Sequence, residues 1–318
     1  MAVDRGRKRV AATFESAARG VMARHVPSDL SASISVGTGL RLASTPDTTL
    51  TGGSVGTCLR WMSDSGPLFV KTTEANLAWV FEAEADGLRE LAAASAIRVP
   101  RVLGVGATTD HAWLALEWLD LRPASPVSEA MLGEQLAAQH RETRNTFGWH
   151  RTNTIGLSVQ RNEWLDDWPG FFAERRLGCQ LDLAEAGGQP SRLVDRGRRL
   201  CERVPELLAG HSPVPSLLHG DLWAGNHAED GTSRPVIFDP SVYYGDREAD
   251  LAMTRLFGGY GRALYAAYEA AWPLDPGAGQ RFTLYNLYHV LNHLNLFGGG
   301  YRAQAQAMID SLLAEAGG

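Results

Sequence analysis

A chain of 318 residues with 44% apolar composition can bury a sizeable core, as one large domain or as two lobes. Its net charge of -6 argues against a nucleic-acid or anionic-membrane partner, because such partners favour a basic surface. The segment Met1–Gly20 lacks the continuous apolar core of a secretory signal, and no later run approaches a membrane span, so the expectation is a soluble cytoplasmic protein. Cys58, Cys179 and Cys201 are odd in number and too far apart for a zinc knuckle or redox pair, and read as buried thiols.

In chain order, Val10, Phe14, Ala17 and Val21 stand at helical spacing and predict an amphipathic helix over residues 7–24. From Ile34 to Val70 short apolar runs punctuated by glycine predict strands and hairpins. A helix is expected from Glu74 to Ala94, then strands near Arg101–Val105 and Ala112–Trp118. The segment LRPASPVS, residues 121–128, is the best linker or hinge. Beyond it the pattern is mostly helical: 129–141, 168–186, 193–208, 246–257, 261–272 and 280–297, with a strand-like run at Pro235–Phe238. The expected fold class is α+β, a small antiparallel β-rich lobe over 1–119 and a larger, mainly helical lobe over 120–318.

The chemistry concentrates in LLHGDLWAGN and the IFDP that follows. Asp221 and Asn226 are five apart, and Asp239 ends the apolar run. That spacing matches the catalytic loop of phosphoryl-transfer enzymes, in which one aspartate accepts the hydroxyl proton while an asparagine and a second aspartate hold magnesium on the nucleotide. His219 reads as a structural hydrogen-bonding residue. Asp, Asn and Gly are also common turn and capping residues, but three at this spacing together with Lys71 favour the catalytic reading.

Of 30 basic residues only Lys8 and Lys71 are lysine. Lys71, at the end of an apolar strand, therefore marks a place where a compact ammonium is needed rather than a guanidinium fork. The following helix offers Glu84, with Glu82 as its rival, to orient that lysine. The loop Thr51–Gly56, with Gly52, Gly53 and Ser54, supplies backbone donors for phosphates, and the backbone of Glu117 to Leu119 could hydrogen-bond adenine. Gly52 to Gly56 also fits G-x-S-x-G, but a hairpin pattern follows where a hydrolase needs a helix. His289 and His293 stand one helical turn apart without a third ligand and read as packed histidines.

HGDLWAGN, DPSVYYGDREADLAM and the run FGWHRTNTIGLSVQRNEW resemble the fructosamine kinase (ketosamine-3-kinase) family, a branch of the kinase-like phosphotransferases that includes aminoglycoside and choline kinases. The resemblance covers most of the chain. It implies a bilobal protein-kinase-like fold, ATP and Mg2+ as cofactors, and phosphorylation of the third hydroxyl of a sugar joined as a ketoamine to an amine. It assigns Asp221 as catalytic base, Asn226 and Asp239 as magnesium ligands, Lys71 and Glu84 as the phosphate-orienting pair, and Trp223 to the sugar site. Asp250 is expected to brace the catalytic loop. Some family members have a cysteine where this chain has Ser54, which argues against a redox switch there. The partner is a small or protein-bound ketosamine, and the protein is read as a monomer. A related kinase such as an aminoglycoside phosphotransferase, or a nucleotide-binding protein without turnover, are the alternatives.

Overall fold

The computed structural model describes residues 28–50 and 55–317. The helix expected over 7–24, and the Gly52, Gly53 and Ser54 of the glycine loop, lie outside the described residues. In chain order the elements are α1 (Ser28–Thr38), β1 (Thr48–Leu50), β2 (Thr57–Ser63), β3 (Gly66–Glu74), α2 (Ala78–Ala94), β4 (Val102–Ala107), β5 (His111–Glu117) and α3 (Pro126–His140). There follow β6 (Asn153–Ile155), β7 (Ser158–Gln160), α4 (Trp168–Phe171), α5 (Cys179–Ala186), α6 (Ser191–Leu207), β8 (Ser216–Leu218), β9 (His227–Glu229) and β10 (Pro235–Ile237). The chain closes with β11 (Tyr243–Gly245), α7 (Arg247–Leu256), α8 (Arg262–Ala271), α9 (Ala278–Phe297) and α10 (Arg302–Ala316). An antiparallel sheet thus dominates the N-terminal lobe and helices the larger C-terminal lobe. Among the described residues no helix is long and apolar enough to cross a membrane.

The chain forms two compact units. The first runs through Gln135 and also takes Ala224–Pro240 and Gly258–Ala267. Its five-stranded sheet has the order β1-β2-β3-β5-β4, with antiparallel neighbours throughout. Alternation in β3 sends Leu68 and Val70 to one face, where they pack with Leu59, Trp61, Trp113 and Ala115 against Leu30 and Ile34 of α1. Lys71 is one residue out of that phase and therefore belongs to the other face. Gly56 enters β2 with φ +78°, and a Cβ there would lie 2.0 Å from the Thr72 carbonyl oxygen, so only glycine fits this turn against β3.

The strand pattern expected from Ile34 is overturned at its start: Ile34 lies in α1. Leu30 and Ile34, four apart, are both buried, while Val36 is exposed, which is helical periodicity in a segment rich in β-formers. The helix ends at Gly39, whose φ of +73° suits the left-handed cap. The LRPASPVS segment is not a loose tether either. Arg122 pairs with Glu229 through two backbone hydrogen bonds, Ser125 donates from N–H and hydroxyl to the Glu229 carboxylate, and α3 already begins at Pro126.

The second unit comprises Leu136–Trp223, Ser241–Phe257 and Tyr268–Gly318. Its core gathers Trp168, Phe171, Phe172, Tyr285 and Tyr243 around the helices. The expected helix over 168–186 is interrupted by a π-helical stretch, Phe172–Gly178, that sets the buried Arg176 over the Tyr243 ring at 3.9 Å. The hairpin β6–β7 and helix α10 are additions to the expected elements. His293 Nδ1 meets the His289 carbonyl at 2.8 Å, so the pair is packed within α9.

Burial, reinforced by His293, pushes the His289 imidazole down to about 3, and its Nδ1 is buried without a partner. The unfolded chain takes up that proton near pH 6.5, so this residue's contribution to stability is lost as pH falls from about 6.5 toward 3. Urea unfolding at pH 7, 6 and 5 should show that His289→Gln flattens the pH dependence, by up to about 1.4 kcal/mol per pH unit below pH 6. An unchanged slope would assign the dependence elsewhere.

Candidate active site

Lys71 stands on β3 between Cys58 of β2 and Leu114 of β5, and is only 6% exposed. A lone ammonium buried this deeply would lose its proton or the fold would lose stability. It does neither, because Nζ donates to Glu84 Oε1 and to Asp239 Oδ1, each at 2.6 Å. Burial lowers the lysine pKa, but Asp239 and Glu84 outweigh it and hold the group far above its ordinary range. Glu84 reaches Lys71 from α2, and Glu82, two residues earlier, is exposed on the opposite side of the helix.

Asp239 comes to this place through the β9–β10 hairpin. His227 pairs with Ile237, and the Phe238 N–H donates to the Asn226 carbonyl, so Asn226 and Asp239 leave the same end of one hairpin. The hairpin is tied into the first unit by the Arg98–Val236 bridge and the Arg98–Asp230 ion pair. Asp239 has φ +56°, a left-handed conformation uncommon for a non-glycine residue, which fixes its carboxylate toward Lys71 at some conformational expense. A carboxylate and an amide oxygen at one hairpin mouth are hard oxygen donors of the kind Mg2+ takes. The residues therefore fit the expected ion.

At the end of β5, Glu117 is committed to Arg101. Its N–H donates to the Arg101 carbonyl and its carboxylate accepts from the Arg101 N–H. The Leu119 carbonyl accepts from Leu121 N–H, and the Trp118 indole N–H donates to Asp120.

In the second unit the HGD loop follows β8, which pairs with β11. Asp250, on α7, accepts the His219 N–H on Oδ2 at 2.7 Å and the Gly220 N–H on Oδ1 at 2.9 Å. His140 Nε2 lies 3.3 Å from Asp250 Oδ2, and its other nitrogen lies 2.9 Å from the Tyr268 hydroxyl. Burial alone would raise the Asp250 pKa; the bond from His140 and the Gly220 N–H help hold it below the usual carboxylate range. Gly220 has φ +82°, and a Cβ there would lie 2.1 Å from the Ser241 carbonyl oxygen. The loop is thus clamped from both sides and its third residue, Asp221, is left half-buried. The His219 ring is turned into its own loop, accepting the Asp221 N–H on Nδ1. Trp223 is 37% exposed and meets the Phe257 ring edge-on at 6.4 Å, so it is not a core residue.

The structure brings Lys71, Glu84 and Asp239 into contact and puts Asn226 beside Asp239 in the hairpin; Asp221 and Trp223 stand on the loop of the second unit. Cys58 is buried and its thiol is pushed up to about 11 by that burial, which makes it a poor nucleophile. His140 carries little signal in the sequence, being only a histidine at the end of a helical pattern.

A model of the fructosamine kinase family matches residues 28–315. The chain is 48% identical over 248 residues to the "probable ketoamine kinase" of Synechocystis, covering 77% of this chain and 82% of that one. It is 40% identical over 265 residues to the chloroplastic protein-ribulosamine 3-kinase of Arabidopsis thaliana, covering 82% and 81%. Among solved structures, a candidate fructosamine-3-kinase from Thermobifida fusca superposes with a TM-score of 0.79 at 31% identity, covering 91% of this chain and all of the other.

Glu84→Gln should destabilise the protein by about 1.5–3 kcal/mol, the range for a charge-assisted hydrogen bond, since the buried ammonium keeps only Asp239. Glu82→Gln should stay within about 0.5 kcal/mol. Chemical denaturation of both variants checks this, and equal effects would contradict the pairing.

Proposed function

The chain belongs to the fructosamine kinase family, and on that premise we propose that it transfers the γ-phosphoryl group of ATP to the third-carbon hydroxyl of a ketosamine. The observation that supports this best is the buried Glu84–Lys71–Asp239 triad, because a lysine held between two acids on a β-strand is the phosphate-orienting device of the kinase fold. Lys71 offers its ammonium to the nucleotide phosphates, and Glu84 fixes its direction. Asn226 and Asp239 would hold Mg2+, which supplies charge neutralisation on the phosphates when bound. The backbone of Gly52, Gly53 and Ser54 would contribute further donors, and the Glu117 carbonyl and Leu119 N–H would take the adenine edge.

Asp221 accepts the proton of the attacking hydroxyl, with its backbone immobilised through Asp250. Trp223, exposed beside Asp221, offers an indole face to the C–H surface of the sugar or to its cationic amine. The functional division falls after Leu119, with nucleotide binding before it and acceptor binding and proton transfer after it, except that Asn226 and Asp239 return from the later part of the chain to the first unit. The protein acts as a cytoplasmic monomer on a small-molecule or protein-bound adduct.

The product has a chemical consequence. Enolisation of its ketone toward the amine-bearing carbon places the third-carbon phosphate as a leaving group, so inorganic phosphate departs by elimination. Water then releases the free amine and a deoxydicarbonyl sugar, and the amine is deglycated.

Phosphorus and carbon NMR of fructosyl-lysine or ribulosyl-lysine with ATP and enzyme should show a third-carbon phosphate that decays to inorganic phosphate. Phosphate on another hydroxyl, or transfer to an aminoglycoside and not to ketosamines, would overturn the assignment. In the same assay Asp221→Asn should lose about 10²–10⁴-fold in turnover with ATP affinity retained, whereas Asp239→Asn should weaken magnesium-dependent ATP binding. Lys71→Arg should keep the fold and lose most turnover, because a guanidinium fork does not occupy the point between Glu84 and the phosphates.

A further inference from the structure

The second unit buries a line of side-chain amides that no step above uses. Asn153, Gln160 and Asn162 are at most 4% exposed, as are Arg176, Ser241 and Tyr288. Their hydrogen bonds have one direction, and its source is Arg176, which can only donate. Arg176 Nη2 donates to Asn162 Oδ1 at 2.7 Å, so the Asn162 amide nitrogen must face the other way. It donates to Asn153 Oδ1 at 2.8 Å. The Asn153 nitrogen in turn donates to the Val242 carbonyl at 2.8 Å.

Gln160 is oriented from its own side. The Tyr288 hydroxyl donates to Gln160 Oε1 at 2.7 Å, which leaves Gln160 Nε2 to donate to Asn153 Oδ1 at 2.9 Å and to the Ser241 carbonyl at 3.1 Å. Ser241 itself donates from its hydroxyl to the Thr154 carbonyl. Both relays therefore end on the backbone of Ser241 and Val242. That backbone is the other jaw of the clamp on the HGD loop: Ser241 N–H donates to the His219 carbonyl at 2.8 Å, and the Ser241 carbonyl is what closes on Gly220.

We propose that Asn153, Gln160 and Asn162, polarised by Arg176 and Tyr288, are positioning residues for Asp221: they fix the Ser241–Val242 backbone that sets the height and tilt of the HGD loop. Asp250 holds the loop's N–H groups, and the amide relay holds its carbonyl side. Neither alone defines where the third residue of the loop points. This rests on the reading of Asp221 as the base.

The relay has a specific weakness. Asn153→Asp keeps the shape but puts an oxygen against the Val242 carbonyl, two acceptors facing each other, while the remaining contacts survive. Tyr288→Phe removes only the hydroxyl that orients Gln160. With ketosamine and ATP as substrates, Asn153→Asp should lose about 100-fold in kcat, the size of effect that a misplaced reacting group produces. Tyr288→Phe should lose about tenfold, and in both KM for ATP should stay within about twofold, since the Lys71 triad is untouched. Hydrogen exchange of the peptide spanning residues 216–222 should quicken in both.

Wild-type kcat per folded molecule in both variants would overturn the proposal, as would KM for ATP rising in parallel with the fall in kcat. Should Asn153→Asp fail to fold, Tyr288→Phe decides alone. A wild-type enzyme inactive on every ketosamine would defeat the functional reading instead. In that case unchanged exchange at 216–222 would also defeat the positioning role, and quickened exchange would uphold it.

Discussion

One ammonium group sets the terms for the first unit. Taking Lys71 out of water is expensive, and the protein stabilises it only by bringing two carboxylates to it from distant parts of the chain. Glu84 requires α2 to lie against the sheet face that Lys71 occupies, and Asp239 requires the β9–β10 hairpin to be anchored through Arg98 and Arg122. Removing either carboxylate leaves the buried ammonium with a single charged partner. A hydrophobic replacement of the triad would tolerate approximate placement; this arrangement does not.

The second unit meets the corresponding demand with neutral groups. On the proposed mechanism the HGD loop has to present an acid at a defined point, yet a loop has no ladder to hold its own backbone. Its N–H groups find a carboxylate that is itself oriented by His140 and Tyr268, and its carbonyl side finds the Ser241 backbone. Each support ends in groups that are buried and hydrogen-bonded, so the loop inherits the rigidity of the core.

Much of this was legible from the residues. The Asp221, Asn226 and Asp239 spacing, Lys71 as the solitary lysine of the described residues and the acids on the next helix could be read without coordinates, because the chemistry proposed for them fixes both residue type and local spacing. The choice between Glu84 and Glu82 could not, since helical phase against an unseen strand decides it. Helix α1 was misread because Ile34 and Val36 favour strands by type while Leu30 and Ile34 are four apart. Helix α10 was missed although Ala305, Ile309 and Leu312 form its buried stripe, because the preceding triple glycine reads as an ending and alanine gives little contrast. The amide relay left almost no trace, for Asn and Gln in short strands look like loop residues until their partners are known.

A comparison within the second unit shows why partners decide function where residue types do not. His211, Asp246 and Glu248 cluster closely enough to suggest a metal set. Yet Asp246 caps α7 through the Glu248 N–H and accepts from the Tyr285 hydroxyl and pairs with His211, while Glu248 is held bidentate by Arg281. Every donor atom that an ion would need is already satisfied by a group that is built into the fold, and displacing Arg281 would strand a cation. Asp239 has the opposite character. Its partner is a lysine with a second carboxylate in reach, so on the proposed reading Lys71 would turn toward arriving phosphates without becoming unpaired, and the Asp239 oxygens would become available as it does. The same acid chemistry is structural in one place and exchangeable in the other, and what separates them is whether the cation has somewhere else to go.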